Sequence, residues 1–292
     1  MGHGVGGSGA LETRAERVVA RHDWSVVSFD LSEDGKYLAY TTNDDGFSAL
    51  HVLDTTTQKP VALPAAPKGV LSGIRWRRDW PMFAFTLSHA AAPAAIYSID
   101  LASGQLERWT SEPTSGPDPT RFAQPELVRW KSFDDRMISG FLYRPPSRHV
   151  GPRPVIIDIH GGPESQARPT FLGRNNYLLD ELGIAILYPN VRGSTGYGKT
   201  FLKLDDGRLR ENAVRDIGAL LDWIGTDARL DASRVMVTGG SYGGYMSLAT
   251  AVRYNDRIAC AVDEVGIANF VSFLERTESY RRDLRRAEYG DE

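Results

Sequence analysis

An apolar segment that runs into glycines around a serine constrains the fold of this 292-residue chain most. Residues 234–238 read RVMVT, residues 239–244 read GGSYGG, and YMSLATAVRY follows. The first segment predicts a buried strand and the last predicts a helix. Glycines two residues either side of Ser241 remove side chains that would clash in a tight strand-to-helix turn. The run therefore predicts a sharp turn that lifts Ser241 clear of a sheet.

The pattern Gly-x-Ser-x-Gly between a strand and a helix is typical of a nucleophilic serine. The N-terminus of the following helix points at the place where an oxyanion would develop, and the N–H of Tyr242 is one natural donor to it. A second donor is expected from the HGGP loop at 160–163, where the glycines leave the N–H of Gly162 available. We expect His160 to brace that loop rather than act as a base. The alternative is a glycine-rich turn with an incidental serine.

Strands and helices alternate over the second half of the chain. PVIIDIH, GIAILYPN, RVMVT and RIACAVDE read as buried strands, and helical spacing separates the second from the third and the third from the fourth. Strands that are apolar on both faces and alternate with helices predict a mostly parallel sheet covered on both sides. Before them, the segment PELVRWKSFDDRMISGFLYRPP predicts an antiparallel hairpin that turns at Asp134 and Asp135.

The first 110 residues contain strands only, in two similar units offset by about 45 residues. LAYT at 38–41 aligns with FAFT at 83–86. A repeat of this length made of strands is typical of β-propeller blades, although a small β-sandwich is an alternative. Two blades do not close a propeller, so we expect further blades before residue 1 or association with other chains. We predict a disordered segment at 1–17, blades at 18–115 and an α/β domain at 116–292, because a Pro/Ser-rich linker occupies 111–120.

Composition excludes some classes of function. The formal net charge of −3 lacks the strongly basic field of a nucleic-acid binder. No run of 18 apolar residues predicts a membrane helix, and the N-terminus lacks the apolar core of a signal peptide, so a cytoplasmic location is expected. The single cysteine, Cys260, lies in an apolar run and is expected to be a buried structural thiol. No motif for a metal or cofactor is visible, so none is expected.

Residues 193–200, GSTGYGKT, also match the phosphate-binding pattern G-x-x-x-x-G-K-[ST] of ATPases. Asp263 and Glu264, at the end of an apolar run, would then be candidates to hold magnesium. A phosphate-binding loop needs a substantial helix that starts at its Lys-Thr. Here Asp-Asp-Gly at 205–207 interrupts any helix within two turns. We therefore interpret the match as a coincidence.

Three stretches together resemble the prolyl oligopeptidase family of serine peptidases, especially its acylaminoacyl-peptidase and dipeptidyl-peptidase members. They are HGGPESQ at 160–166, PNVRGSTGYGKTF at 189–201 and GGSYGGYM at 239–246. The resemblance implies a β-propeller joined to a C-terminal α/β-hydrolase domain that hydrolyses short peptides. It also implies that Ser241 is the nucleophile and that Arg192 braces the site. By the same resemblance, the N–H groups of Tyr242 and Gly162 form the oxyanion hole.

The family's triad runs Ser, Asp, His along the chain, but all six histidines precede Ser241, at 3, 22, 51, 89, 149 and 160. Asp263 is an outside candidate for the acid. We therefore expect an α/β-hydrolase fold that is incomplete, lacking its last strands, in a fragment truncated at both ends with little triad-dependent activity. An esterase on the same scaffold, or a non-catalytic binding protein that retains the fold, are the alternatives. Oligomers are possible.

Overall fold

The computed structural model describes residues 18–110 and 121–290. The predicted disordered segment at 1–17 and the predicted linker at 111–120 lie outside the described residues. The proposed domain boundary at 115/116 therefore stays a prediction. Among the described residues, no helix has both the length and the apolar character needed to cross a membrane.

The first eight strands form two antiparallel sheets of four strands, each a meander in chain order. The alternation of apolar residues explains the second sheet, because Phe83, Phe85 and Leu87 all point inward and are almost fully buried. The two similar units seen in the sequence thus correspond to two sheets with the same strand order. The strands are β1 (Val26–Leu31), β2 (Tyr37–Asp44), β3 (Phe47–Asp54), β4 (Lys59–Pro60), β5 (Val70–Trp76), β6 (Met82–His89), β7 (Ala92–Asp100) and β8 (Gln105–Arg108).

The third sheet has six strands in the order β14-β13-β11-β12-β10-β9. Strands β9 and β10 form the predicted hairpin, β10 runs antiparallel to β12, and the remaining neighbours are parallel. A mostly parallel sheet places the carboxyl ends of β11, β12 and β13 at one edge. The strands are β9 (Pro125–Lys131), β10 (Met137–Tyr143), β11 (Arg153–Ile159), β12 (Ala185–Asn190), β13 (Leu230–Gly240) and β14 (Cys260–Glu264).

Helices pack on the third sheet through apolar residues at helical spacing. On α3, Val214, Ile217 and Leu221 follow the i, i+3, i+7 pattern and are buried in the main core. Each such side chain contributes roughly 1.5–3 kcal/mol when buried. The helices are α1 (Asn176–Asp180), α2 (Gly198–Leu202), α3 (Glu211–Ile224), α4 (Tyr242–Arg253), α5 (Phe270–Glu275) and α6 (Ser279–Tyr289).

Strand β14 differs from the prediction. Its five residues are all exposed, and Cys260 is an exposed free thiol rather than a buried one. The physical reason is its place in the sheet. Among the described strands, β14 pairs with β13 alone and forms an edge of the sheet, where an apolar sequence does not ensure burial. An apolar run in the sequence shows suitability for burial but does not show what lies against it.

The β2–β3 hairpin joins the first sheet to the third. Asp45 at its tip accepts hydrogen bonds from Arg129 at 2.5 Å and from Ser139 at 3.0 Å. The carbonyl oxygen of Gly46 accepts one from Arg168 Nε at 2.8 Å. A Cβ on Gly46 would lie 2.6 Å from the ring of Phe141, so only glycine allows this approach. The hairpin therefore supports the segment that follows the HGGP loop.

Candidate active site

Ser241 lies in the turn between β13 and α4, with φ of 57° and ψ of −116°. A left-handed φ is strained for a residue with a side chain, and such strain is common at functional sites. The turn is held on both sides, because the N–H of Ser241 donates to Glu264 O at 2.9 Å and its own carbonyl accepts from Tyr245 N at 3.1 Å. The side chain is exposed. The sharp turn predicted from the glycines is therefore present.

The surrounding glycines are required by backbone contacts. A Cβ on Gly243 would lie 1.9 Å from the carbonyl oxygen of Ile159, and a Cβ on Gly239 would lie 2.4 Å from the same atom. On Gly244 it would lie 2.5 Å from the backbone Cα of Gly266, besides its contact with the Asp263 side chain. The end of β11 thus lies so close to the end of β13 and to the start of α4 that Gly239 and Gly243 leave no room for a side chain.

The HGGP loop lies against the turn that carries Ser241. A Cβ on Gly161 would be 3.5 Å from the Cβ of Ser241, so these segments are in contact. The next residue, Gly162, has φ of 135°, which favours glycine. Within the described part of the chain, no hydrogen-bond acceptor pairs with the N–H of Gly162 or of Tyr242. Both predicted oxyanion donors therefore remain available in this region.

His160 is held within the loop, as predicted for a bracing residue. Its Nδ1–H donates to Gly161 O at 2.8 Å, and its Nε2 lies 2.8 Å from Ser194 Oγ. Burial lowers the pKa of His160, which favours the neutral ring. The carbonyl of Gly161 belongs to the same peptide group as the N–H of Gly162, so His160 helps to orient that donor.

Arg192 lies in the loop after β12 and has only 3% of its side chain exposed. Its guanidinium donates to Asp216 Oδ1 at 2.7 Å and to Asp134 Oδ1 at 3.0 Å. The fully buried Asp216 also accepts from Ser132 Oγ at 2.5 Å. Arg192 therefore ties the loop to α3 and to the β9–β10 hairpin, in line with the bracing role that the resemblance implied.

The phosphate-loop match is not followed by the helix that such a loop needs. Helix α2 has five residues, and short 3₁₀ turns follow it at Lys203–Asp205 and Gly207–Leu209. Asp263 is engaged in a turn, where its Oδ1 accepts from Gly266 N at 2.8 Å. Over 18–110 and 121–290 there is no group of three or more metal-ligating side chains.

Sequence reasoning missed a buried polar cluster next to Tyr242. Its members are Asp205, which is 1% exposed, and Arg210, which is 3% exposed. Arg210 donates to the Asp205 carboxylate, and the Tyr242 hydroxyl donates to Asp205 Oδ2 at 3.1 Å. Burial raises the pKa of Asp205 to about 6 despite its basic partner. The signal in the sequence was weak, because these residues look like an ordinary charged surface turn.

Residues 169–292 match the sequence profile of the prolyl oligopeptidase family. These residues form a prolyl oligopeptidase family domain. The chain is 29% identical to dipeptidyl aminopeptidase BIII of Pseudoxanthomonas mexicana over 204 residues, which are 66% of this chain and 29% of that protein. It is 32% identical to dipeptidyl peptidase family member 6 of Caenorhabditis elegans over 245 residues, 75% of this chain and 33% of that protein. The chain thus spans about a third of the length of these curated relatives.

Two solved structures share the fold of this chain. The puromycin-hydrolyzing peptidase of Mycobacterium tuberculosis superposes with a TM-score of 0.83 at 20% identity, over 96% of this chain and 45% of that one. Prolyl oligopeptidase B from Galerina marginata superposes with a TM-score of 0.82 at 20% identity, over 92% of this chain and 37% of that one. This likeness confirms the predicted fold class, β-propeller strands followed by an α/β-hydrolase sheet. Whether the fold lacks its last strands stays a prediction.

Proposed function

We propose that this chain is part of a serine peptidase that cleaves short peptides and that Ser241 is its nucleophile. The observation that carries the proposal is the exposed serine at φ 57° between β13 and α4. A strained turn of this kind lifts a hydroxyl above the sheet, where a substrate carbonyl can reach it. The family of residues 169–292 supports peptide hydrolysis over other acyl transfers.

The proposed reaction is acyl transfer in two steps. Ser241 Oγ bonds to the carbonyl carbon of the scissile peptide while its proton passes to a general base. The C–N bond then breaks, and the base returns the proton to the leaving amine. Water attacks the acyl-enzyme by the same route in reverse and releases the acid. The N–H groups of Tyr242 and Gly162 would stabilise the negative oxygen in both steps, which is usually the largest single contribution.

The general base is proposed to be a histidine outside residues 1–292, with an acidic partner. Both ring nitrogens of His160 are engaged, with Gly161 O and Ser194 Oγ, and every other histidine precedes β11 in the sequence. A serine without a base is a weak nucleophile. Residues 1–292 by themselves should therefore show little triad-dependent activity.

Two alternatives to a serine peptidase are each disfavoured by one feature of the structure. An esterase on the same scaffold is disfavoured by the two β-sheets of residues 26–108, because simple esterases lack such blades. A non-catalytic binding protein is disfavoured by the intact turn at Ser241. Short peptides are the proposed partners, and the expectations of a cytoplasmic location and of possible oligomers stay predictions.

The test has two parts. The reading frame is first followed past the codon for Glu292, and we expect an Asp and then a His. The protein made from the complete frame is then treated with a fluorophosphonate, which phosphonylates an activated serine: a Ser O–P bond forms, the P–F bond breaks and fluoride leaves. Mass spectrometry should locate one adduct on Ser241, and Ser241→Ala should abolish it. If Ser241 is not labelled in folded protein, the hypothesis of a non-catalytic binding protein would be favoured over that of a serine peptidase.

A further inference from the structure

Helix α6 contacts the HGGP loop at the residue proposed as an oxyanion donor. Arg285 Nη1 donates to the carbonyl oxygen of Gly162 at 3.2 Å, and the hydroxyl of Tyr289 donates to the same oxygen at 3.4 Å. Gly162 has φ of 135° and no side chain, so only contacts of its backbone hold it in place. His160 acts on the peptide group before it, and the α6 donors act on the carbonyl after it. Two donors on its carbonyl therefore restrict rotation about the bonds that also set the direction of its N–H.

The two donors are themselves fixed in place. Arg285 Nη1 lies 2.5 Å from Glu288 Oε2, one turn further along α6. The ring of Tyr289 packs against Phe270 and Phe273, with centroid separations of 5.0 and 5.3 Å. Because Glu288 and Tyr289 are 4% and 7% exposed, this end of α6 is anchored rather than loosely attached.

The same end of α6 reaches the other proposed donor through the buried cluster. The guanidinium carbon of Arg210 lies 5.0 Å from the ring centre of Tyr242 and 4.8 Å from that of Tyr289. Arg210 also donates to the carbonyl oxygen of Glu288. Tyr242 donates through its hydroxyl to Asp205, the carboxylate that Arg210 pairs with. One set of contacts thus joins the Gly162 segment, α6 and Tyr242.

We propose that α6 is the positioning element of the oxyanion hole. Arg285 and Tyr289 hold Gly162, while the Arg210–Asp205 pair holds Tyr242, so the two N–H donors keep a fixed separation and direction. This inference rests on the proposed function of Ser241. These are positioning residues, since none of them needs to touch the substrate. Misplacement of a catalytic group by about 1 Å can cost about 100-fold in rate, so the contacts should matter for turnover.

A purely structural role for α6 makes a different prediction. Loss of structural contacts would lower the fraction of folded protein or its thermal stability, but the folded molecules would react at the normal rate. Loss of positioning would lower the rate of the chemical step in folded molecules and leave affinity for the reagent unchanged. The rate of phosphonylation by a fluorophosphonate separates these cases, because its P=O oxygen takes the place of the carbonyl oxygen at the donors.

The experiment measures saturation labelling of Ser241 in the protein from the complete reading frame, which gives the limiting rate kinact and the half-saturation concentration KI. The double variant Arg285→Met/Tyr289→Phe should lower kinact by about 10- to 100-fold and leave KI within about twofold. This loss of rate is no larger than the loss expected when a whole oxyanion donor is removed. Tyr289→Phe alone keeps the buried ring and should lower kinact by about threefold or more. Arg285→Lys keeps a cationic donor and should recover most of the rate lost in Arg285→Met.

The matched control is Arg281→Met, the same change at an exposed position of α6. It should label at the wild-type rate. If wild-type Ser241 is labelled and the Arg285 and Tyr289 variants share its kinact, the positioning role is overturned while the nucleophile assignment stands. If wild-type Ser241 is not labelled, the proposed function fails and this inference fails with it.

Discussion

Loss of the Arg192 side chain should destabilise the protein far more than loss of an arginine from a surface ion pair. Arg192 and Asp216 are 3% and 0% exposed, and three hydrogen bonds of 2.7–3.1 Å from the side chain reach the two carboxylate oxygens. In Arg192→Met, Asp216 keeps only the bonds from Ser132 Oγ and from the backbone N–H of residue 192. A buried carboxylate without its cation costs about 3–5 kcal/mol.

That loss is a large share of the 5–15 kcal/mol typical of a folded domain. It should lower the midpoint of thermal unfolding by on the order of 10 °C. The matched control is Arg234→Met. Arg234 pairs with Asp231 at 2.6 Å, but the two side chains are 55% and 23% exposed, so the expected cost is below about 1 kcal/mol. Arg192→Met/Asp216→Met should be more stable than Arg192→Met, because it removes the unpaired charge.

Urea unfolding monitored by tryptophan fluorescence and by circular dichroism measures these differences. Trp130 is a local reporter, since its Nε1 lies 3.3 Å from Asp216 O and its ring is 2% exposed. Equal losses for Arg192→Met and Arg234→Met would refute the reasoning. So would a double variant that is less stable than Arg192→Met, because the cost would then arise from lost packing rather than from a stranded carboxylate.

Three further outcomes are expected. Gly243→Ala should lower the free energy of unfolding by about 3 kcal/mol or more, because its Cβ meets backbone of β11, whereas Gly225→Ala, with its nearest contact at 3.3 Å, should change it by less than about 1 kcal/mol in urea titrations. Burial, with a smaller effect of Glu264, raises the pKa of Asp158 to about 6, so the folded state holds this proton more tightly. Stability should therefore fall by up to about 3 kcal/mol from pH 4 to pH 6, and Asp158→Asn should lose that part of the pH dependence in parallel unfolding curves. Exposed Cys260 should react with a maleimide in the native state to give one adduct by mass spectrometry, and slow reaction that needs urea would show that the thiol is covered.

The features that could be predicted from the sequence are those set by local pattern. The turn at Ser241 follows from glycine spacing within six residues, and the parallel sheet follows from apolar runs of strand length. The contacts of α6 could not be predicted in this way. Arg285 meets Gly162 across 123 residues of chain, and nothing in the basic run RRDLRR distinguishes it from arginines that face solvent. The prediction that β14 and Cys260 are buried is wrong for a related reason, since burial depends on neighbours that are far away in sequence.

The phosphate-loop match at 193–200 has a physical explanation that involves no nucleotide. A Cβ on Gly193 would lie 2.1 Å from Asp205 Oδ1, and a Cβ on Gly196 would lie 2.7 Å from Asn43 Nδ2. Both glycines have positive φ, of 91° and 93°. The first lets the loop close over the buried carboxylate that binds Tyr242, and the second lets it meet the β2–β3 hairpin. The two glycines that the pattern itself fixes are Gly193 and Gly198. Packing against Asp205 requires the first, and the φ of 86° favours glycine at the second, so neither position needs a phosphate to account for it. On this account Gly193→Ala should disturb Asp205 and lower the rate of Ser241 labelling, while ATP should leave the thermal unfolding midpoint unchanged.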